Sequence, residues 1–217
     1  GFIWYQGESN EQRAEEYKTL FPAVIDSWRA QWKNEALPFY YVQIAPFAGY
    51  GLRTDAAERM TSAELRESQM LTLAKSNVGM AITTDVGDEK LIHPPKKKEV
   101  GDRLALWALN KDYGYTDLVH SGPIYKSVRF NMGRALVSFE HAGSGLYCPD
   151  NTIKHFEIAG TDGKYYPAKA RIVGKEVMVW SNKVPQPKGV RLGWKNYFEI
   201  NLFNKEGLPA SSFRAME

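Results

Sequence analysis

Two short stretches of this chain carry the residue types that chemistry can use. Trp4-Tyr-Gln-Gly-Glu-Ser-Asn10 places an amide, a carboxylate and a hydroxyl directly behind the apolar run Phe2 to Tyr5. Ile92-His-Pro-Pro-Lys96 places an imidazole ahead of two prolines that stiffen the loop and open a helix. A histidine held in such a loop suits general-base work, although a lone histidine serves structure as readily. No CxxC or HExxH spacing occurs, so the sequence gives a metal site little support.

Both stretches need a scaffold that brings loops to one edge. Residues 1–112 read as β-α-β-α-β-α. Between Ser9 and Trp32 the apolar residues Ala14, Tyr17, Phe21, Val24, Ile25 and Trp28 recur at helical spacing. Ser9 with Gln12 predicts a capping box at the start of this helix, and Pro22 predicts a kink or a restart. Phe39 to Ala45 reads as a strand buried on both faces, as a parallel sheet requires. A helix is expected from Thr61 to about Lys75, a strand from Val78 to Thr83, and a last helix after Pro95. The strand-turn-helix junction at residues 1–10 would then lie at the carboxyl edge of the sheet, where open α/β folds hold ligands. Its place at the start of the sequence suggests a chain that begins partway through a larger protein.

Beyond residue 112 the helical period gives way to short β-type stretches separated by Gly, Pro, Asn and Asp. Ser127–Phe130, Ala135–Phe139, His155–Ala159, Ala168–Val173, Glu176–Trp180, Val190–Trp194 and Ile200–Phe203 are the predicted strands. Residues 113–217 therefore read as a small antiparallel β domain, of sandwich type. His120, His141 and His155 have no acid close in sequence and read as structural or surface residues.

The bulk composition excludes several classes. A formal charge of +3 and the single basic run Lys96-Lys-Lys98 do not make a nucleic-acid surface. No apolar stretch approaches the roughly 18 residues of a membrane span, and no signal peptide is visible. Cys148 stands alone, so no disulfide forms within the chain. Aromatic residues make up 13% of the sequence, which fits large β-rich cores better than a sugar-stacking surface. Tyr50 and Arg53, in a Gly-rich loop, could meet a carboxylate or a sugar, but a solvated loop is the plainer reading.

Trp4-Tyr-Gln-Gly-Glu-Ser-Asn10 and Ile92-His-Pro followed by Lys98-Glu-Val-Gly-Asp-Arg-Leu-Ala105 resemble the sialate O-acetylesterase family of SGNH-type carbohydrate esterases. Leu65-Arg-Glu-Ser-Gln69, Val190-Arg-Leu-Gly-Trp194 and Asn201-Leu-Phe-Asn-Lys-Glu-Gly-Leu-Pro-Ala210 extend the resemblance along the chain. It implies an SGNH, flavodoxin-like three-layer α/β/α domain, N-terminally incomplete here, followed by the β domain. It also implies hydrolysis of O-acetyl esters on sialic acid or on a polysaccharide such as xylan, without a cofactor and outside the cytoplasm.

By the same resemblance His93 is the general base, and Gln6 donates its side-chain amide to the oxyanion. Gly7 allows the tight turn, while Glu8 and Asn10 brace it. Two departures stand out. The family nucleophile lies in a Gly-x-Ser-Asn segment near the protein's N-terminus, which implies that it precedes this chain. Gly7-Glu-Ser-Asn10 matches that pattern only superficially, because Trp4-Tyr-Gln6 marks the oxyanion block and helix capping accounts for Ser9. The acid that family members carry two or three residues before the histidine is replaced by Leu91 and Lys90. The nearest acids are Glu89, Asp88 and Asp85, and Asp88 is the best candidate to orient His93; a backbone carbonyl or another acid is the alternative. The chain alone is expected to be inactive and to associate with itself or with the missing segment. The rival reading is a non-catalytic carbohydrate-binding or assembly module on the same fold.

Overall fold

Each residue of Phe39-Tyr-Tyr-Val42 is buried, and the alternation of a strand sends neighbouring side chains to opposite faces. This segment organises the first half of the molecule. The computed structural model describes residues 1–51, 59–150 and 152–217. It runs β1 (Phe2–Trp4), a 3-10 turn (Glu8–Arg13), α1 (Ala14–Gln31), β2 (Phe39–Val42), α2 (Thr61–Leu71), a second 3-10 turn (Thr72–Ala74), β3 (Val78–Ala81) and α3 (Lys97–Lys111). The strands form a parallel sheet in the order β1-β2-β3, with Phe2 beside Phe39 and Phe39 beside Val78.

The two faces of β2 are filled differently. Phe39 and Tyr41 meet Phe21 of α1, with ring centroids 6.1 Å and 4.9 Å apart. Tyr40 stacks on Trp107 of α3 at 6.2 Å, and Val42 packs with Ala81, Val86 and Val100. Trp107 also lies where a side chain on Gly79 would be, 2.4 Å from the position of a Cβ, and its Nε1 donates to Met80 O. A helix can sit this close to β3 because residue 79 is glycine.

Several local expectations are corrected. The N-cap of the first turn is Gly7, and no side chain caps it, so Ser9 and Gln12 form no capping box. Gly7 leaves the strand at φ 155°, which starts the 3-10 turn without a capping hydroxyl. The α-helix itself begins only at Ala14 and passes through Pro22 as one element rather than restarting there. Its buried stripe Ala14, Tyr17, Phe21 and Ile25 continues on both sides of the proline, so packing outweighs the lost N–H. Tyr50 is buried rather than solvated, and Arg53 lies outside the described residues.

The chain divides into two compact units, Gly1–Ser121 with Lys195–Tyr197, and Gly122–Trp194 with Phe198–Glu217. The second is built from β4 (Ile124–Asn131), β5 (Arg134–Glu140), β6 (Leu146–Tyr147), β7 (Phe156–Ala159), β8 (Tyr165–Pro167), β9 (Lys169–Val173), β10 (Glu176–Trp180), β11 (Gly189–Leu192), β12 (Phe203–Asn204) and β13 (Phe213–Met216). Two four-stranded antiparallel sheets result, β4-β5-β10-β9 and β13-β11-β7-β8, with β12 paired to β6. Phe213 of the second sheet packs on Tyr125 and Phe139 of the first, at 4.6 Å and 5.9 Å. The predicted strand Ile200–Phe203 is mostly irregular: Ile200 and Leu202 are buried, and only Phe203 enters a strand. No helix among the described residues is long and apolar enough to cross a membrane.

Candidate functional site

Gln6 leaves β1 at its carboxyl end, and three neighbours fix it. Its Nε2 donates to Asn10 Oδ1 at 2.7 Å, its Oε1 accepts from Tyr17 OH at 3.0 Å, and its backbone carbonyl accepts from Gln69 Nε2 at 3.2 Å. Tyr17 therefore sets which way the amide points. An amide nitrogen has two hydrogens, and Asn10 takes one; the other has no partner among the described residues. Gly7 follows at φ 155°, a backbone state that side chains disfavour. A Cβ there would stand 2.8 Å from Ile44 Cγ2, 3.0 Å from Gln69 Nε2 and 3.1 Å from Leu65 Cδ2. Both conformation and space demand glycine.

The bracket behind this turn is α2, whose buried face is largely polar. Gln69 accepts from Ile44 N–H at 2.9 Å and donates to Gln6 O and to Val42 O, so one side chain ties the ends of β1 and β2 together. Arg66 is wholly buried and donates to Ser62 Oγ and to Lys195 O, at 3.2 Å and 2.5 Å. Burial lowers its pKa to about 10, against an opposing pull from Tyr50. Ser62 in turn donates from its backbone to Asn196 Oδ1, and Asn196 Nδ2 donates to Tyr50 O at 2.9 Å. Ser62, Arg66 and Gln69 are spaced by four and three, so they share one face of the helix. Sequence reading missed this bracket because the periodicity was sought in apolar residues. The signal that exposes it is the polar i, i+4, i+7 stripe Ser62, Arg66 and Gln69.

The loop carrying His93 is anchored at both ends. Arg103 of α3 grips Asp85 with two hydrogen bonds of 2.6 Å and also donates to Ile82 O. This bidentate pair is what the Val100-Gly-Asp-Arg-Leu-Ala105 motif supplies. Asp88 Oδ1 accepts from the N–H groups of Lys90 and Leu91 at 2.8 Å and 2.9 Å, which turns the chain toward His93. Its Oδ2 makes no hydrogen bond among the described residues. His93 is exposed, and it too makes none among them, neither to Asp88 nor to Ser9.

A cleft of about 440 Å³ opens in this unit, lined by Glu8, Glu11, Gln12, Phe47, Tyr50 and Ile92 together with Ser9, Gly49 and Gly51. Ala48 N–H donates to Glu89 O, which joins the Phe47–Gly51 loop to the histidine loop. Glu8 is felt by both nearby phenols. Burial first, and then its charge, push Tyr5 up to about 12 and hold Tyr50 well above the usual tyrosine range. Of the predicted residues, Gln6, Gly7 and Asn10 form one turn, and Glu8 shares the cleft with Ile92, the residue next to His93. Asp88 shapes the histidine loop. His120, on Trp107 at 4.4 Å, and His155, on Phe198 at 5.6 Å, are packed against aromatic rings. No group of three or more His, Cys, Asp or Glu among the described residues is placed to hold a metal ion.

A parallel sheet with an amide fixed at the carboxyl end of its first strand and helices packed on β2 and β3 defines an α/β domain. Residues 1–110 match the family model described as carbohydrate esterase, sialic acid-specific acetylesterase, and the chain belongs to that family. The sialate O-acetylesterase of Rattus norvegicus is 30% identical, covering 99% of this chain and 44% of its own length. The Mus musculus enzyme of the same name is 28% identical over 82% of this chain and 36% of its own length. Among solved structures, a carbohydrate acetylesterase from Xanthomonas citri superposes with a TM-score of 0.93 at 42% identity, covering 99% of this chain and 50% of that one. The chain thus spans half or less of the length of these relatives.

Proposed function

We propose that this chain is part of an O-acetylesterase acting on acetylated carbohydrate, with the parallel sheet belonging to a three-layer SGNH-type domain. One observation carries the reading: the Gln6 amide is locked at its oxygen and at one hydrogen, and its second N–H has no partner among the described residues, beside an obligatory glycine. Such a donor stabilises charge without having to reorganise during the reaction.

In the proposed reaction a serine hydroxyl from outside these 217 residues attacks the acetyl carbonyl, and His93 takes its proton. The carbonyl oxygen becomes an oxyanion that Gln6 Nε2–H meets. The intermediate then collapses, His93 returns the proton to the departing sugar oxygen, and water releases acetate by the same steps. Asp88 Oδ2 is the proposed acceptor that orients the imidazole. The family match and the partial coverage of the relatives support this scheme.

Turnover of p-nitrophenyl acetate is the test. The expected result is hydrolysis once an upstream segment carrying Gly-x-Ser is joined to this chain, lost on His93→Ala and reduced about 100-fold or more on Gln6→Ala, the scale of removing an oxyanion donor. Full activity of the Gln6→Ala form would overturn the assignment of the oxyanion donor.

A further inference from the structure

The β4–β5 hairpin of the second unit ends in a residue that its own turn disfavours. Met132 and Gly133 link the paired Asn131 and Arg134 with φ of 47° and 73°. A two-residue turn with left-handed backbone at both positions favours Asn-Gly. Met132 is the only apolar residue among the described non-glycine residues with such a φ, and it is 90% exposed. A bulky side chain held in that backbone is an outlier, and a function is the inference it invites. The strand register continues the tip into a charged row. Asn131 faces Arg134, Arg134 faces Trp180, and Trp180 faces Lys169. The next row on the same face is Arg129, Leu136, Met178 and Arg171. Ala135, Val137, Val177 and Val179 alternate with these residues and are fully buried in the core. The two rows hold four cations and no carboxylate, while the whole chain has a formal net charge of +3. Glu176 and Glu140 of this face stand in the rows behind, paired with Arg129 and Lys126. The tip also abuts a cavity. Pro185 O is 3.1 Å from where a Cβ on Gly133 would stand, and Pro185 lines a cavity of about 340 Å³ with Tyr166, Lys183 and Asp162. The Lys164 and Lys183 ammonium groups lie 5.5 Å and 5.9 Å from the Tyr166 ring centroid.

We propose that this end of the β unit docks on an anionic membrane surface, with Met132 entering the interface and Arg134, Lys169 and Arg171 meeting lipid phosphates. A polyanionic chain would meet the same cations but has no apolar phase to receive Met132. A bilayer surface supplies both, headgroup charge and an acyl boundary just beneath it. The cations are suited to that boundary, because their stems already cover apolar surface: Arg134 Nη1 lies 3.3 Å from Met178 Sδ, and Arg171 lies 5.8 Å over the Trp180 ring. Trp180 and Tyr166 are of the residue types that membrane interfaces favour. Sequence reading could not find this face, since strand pairing gathers cations that are 5 to 37 residues apart.

Co-sedimentation of the 217-residue chain with phosphatidylcholine vesicles, with and without phosphatidylglycerol, tests the docking. Binding should require the anionic lipid and fall as salt rises. Arg134→Gln together with Lys169→Gln should weaken it about 25-fold, at about fivefold for each cation near the surface. Met132→Asn should weaken it about tenfold, by removing the apolar tip. The same substitution should hold or raise the melting temperature, because asparagine suits the turn, so its effect on vesicles is not one of misfolding. No binding to anionic vesicles, equal binding to neutral ones, or undiminished binding by Met132→Asn would each overturn the proposal. Heparin binding that Met132→Asn leaves unchanged, with no vesicle binding, would overturn it in favour of an acidic glycan. Ester turnover has no part in the test, so its outcome leaves the esterase reading untouched.

Discussion

The two units of the molecule are held together by different means. In Gly122–Trp194 with Phe198–Glu217 the buried side chains are mostly apolar, from Val137 and Val177 to Phe156 and Phe213, with Asn201, Asn204, Ser211 and Ser212 as the buried polar residues among those described. In Gly1–Ser121 the interior admits Gln43, Ser62, Arg66, Ser68, Gln69, Thr83 and Arg103. Those residues lie at or behind the carboxyl ends of β1, β2 and β3, where Gln6 and the histidine loop emerge. A β core needs only complementary volume, whereas a site that aims an amide within tenths of an ångström needs directional bonds. The difference predicts that the first unit is more sensitive to loss of a single polar group.

The largest expected break follows Gln69→Leu. Leucine fills similar space but leaves Ile44 N–H, Val42 O and one bond to Gln6 O unmade, and each orphaned group costs about 1–3 kcal/mol. The unit should lose about 4 kcal/mol of stability by that reckoning. Hydrogen exchange should quicken in peptides from residues 1–121 and stay unchanged in 122–194. Equal quickening in both would mean that the polar bracket is not local.

Next comes Gly7→Ala. The added Cβ meets Ile44, Gln69 and Leu65 at 2.8–3.1 Å in a backbone state that alanine resists. A cost of about 3 kcal/mol follows from strain and overpacking together. The Gln6 amide should shift with it, so ester turnover in the active assembly should fall further than stability alone requires. A stable Gly7→Ala form with full turnover would show that the turn has slack.

How far these positions could be read from sequence divides along the same line. The apolar stripe of α1, from Ala14 to Ile25, and the strand Ala135–Phe139 were legible because burial there follows the period of the element. Gln6, Gly7 and His93 stand out as candidates through their motif. Ser62, Arg66 and Gln69 were not assigned a role, because hydrophobic periodicity counts a buried polar residue as exposed. Ser9 misled for a related reason: a hydroxyl three residues before Gln12 satisfies a local capping rule, but the backbone at Gly7 makes the turn without it. β6, β12 and β13 are two to four residues long and take their place from partners far along the chain, which no local pattern records.

The mirror experiment lies in the second unit. Asn201 donates to Asp150 Oδ2 and Thr152 O and accepts from Lys154 N–H, so Asn201→Ala should cost about 2 kcal/mol. Exchange should quicken around residues 152–154 and not in residues 1–121. A loss as large as that of Gln69→Leu would remove the contrast between the units.

The gentlest probe is alkaline pH. Burial raises the hydroxyl pKa of Tyr5, Tyr17, Tyr40, Tyr41 and Tyr50 in the first unit, Tyr5 to about 12. Above pH 10 the unfolded chain releases these protons while the folded chain keeps them, so stability falls as pH rises through that window. Arg66 works the other way. Its folded pKa of about 10 lies below the ordinary value of 12.5, so between those limits the folded state binds fewer protons and gains stability with rising pH. Five phenols outweigh one guanidinium, and the first unit should open as pH climbs past 10. Because α1, α2 and α3 all lie in that unit, helical circular dichroism follows it selectively. Tyr41→Phe, at a fully buried phenol, should move the midpoint upward more than Tyr5→Phe, since Tyr5 is 37% exposed and its charge is screened by water. A midpoint that neither substitution moves would assign the alkaline loss to groups outside this polar interior.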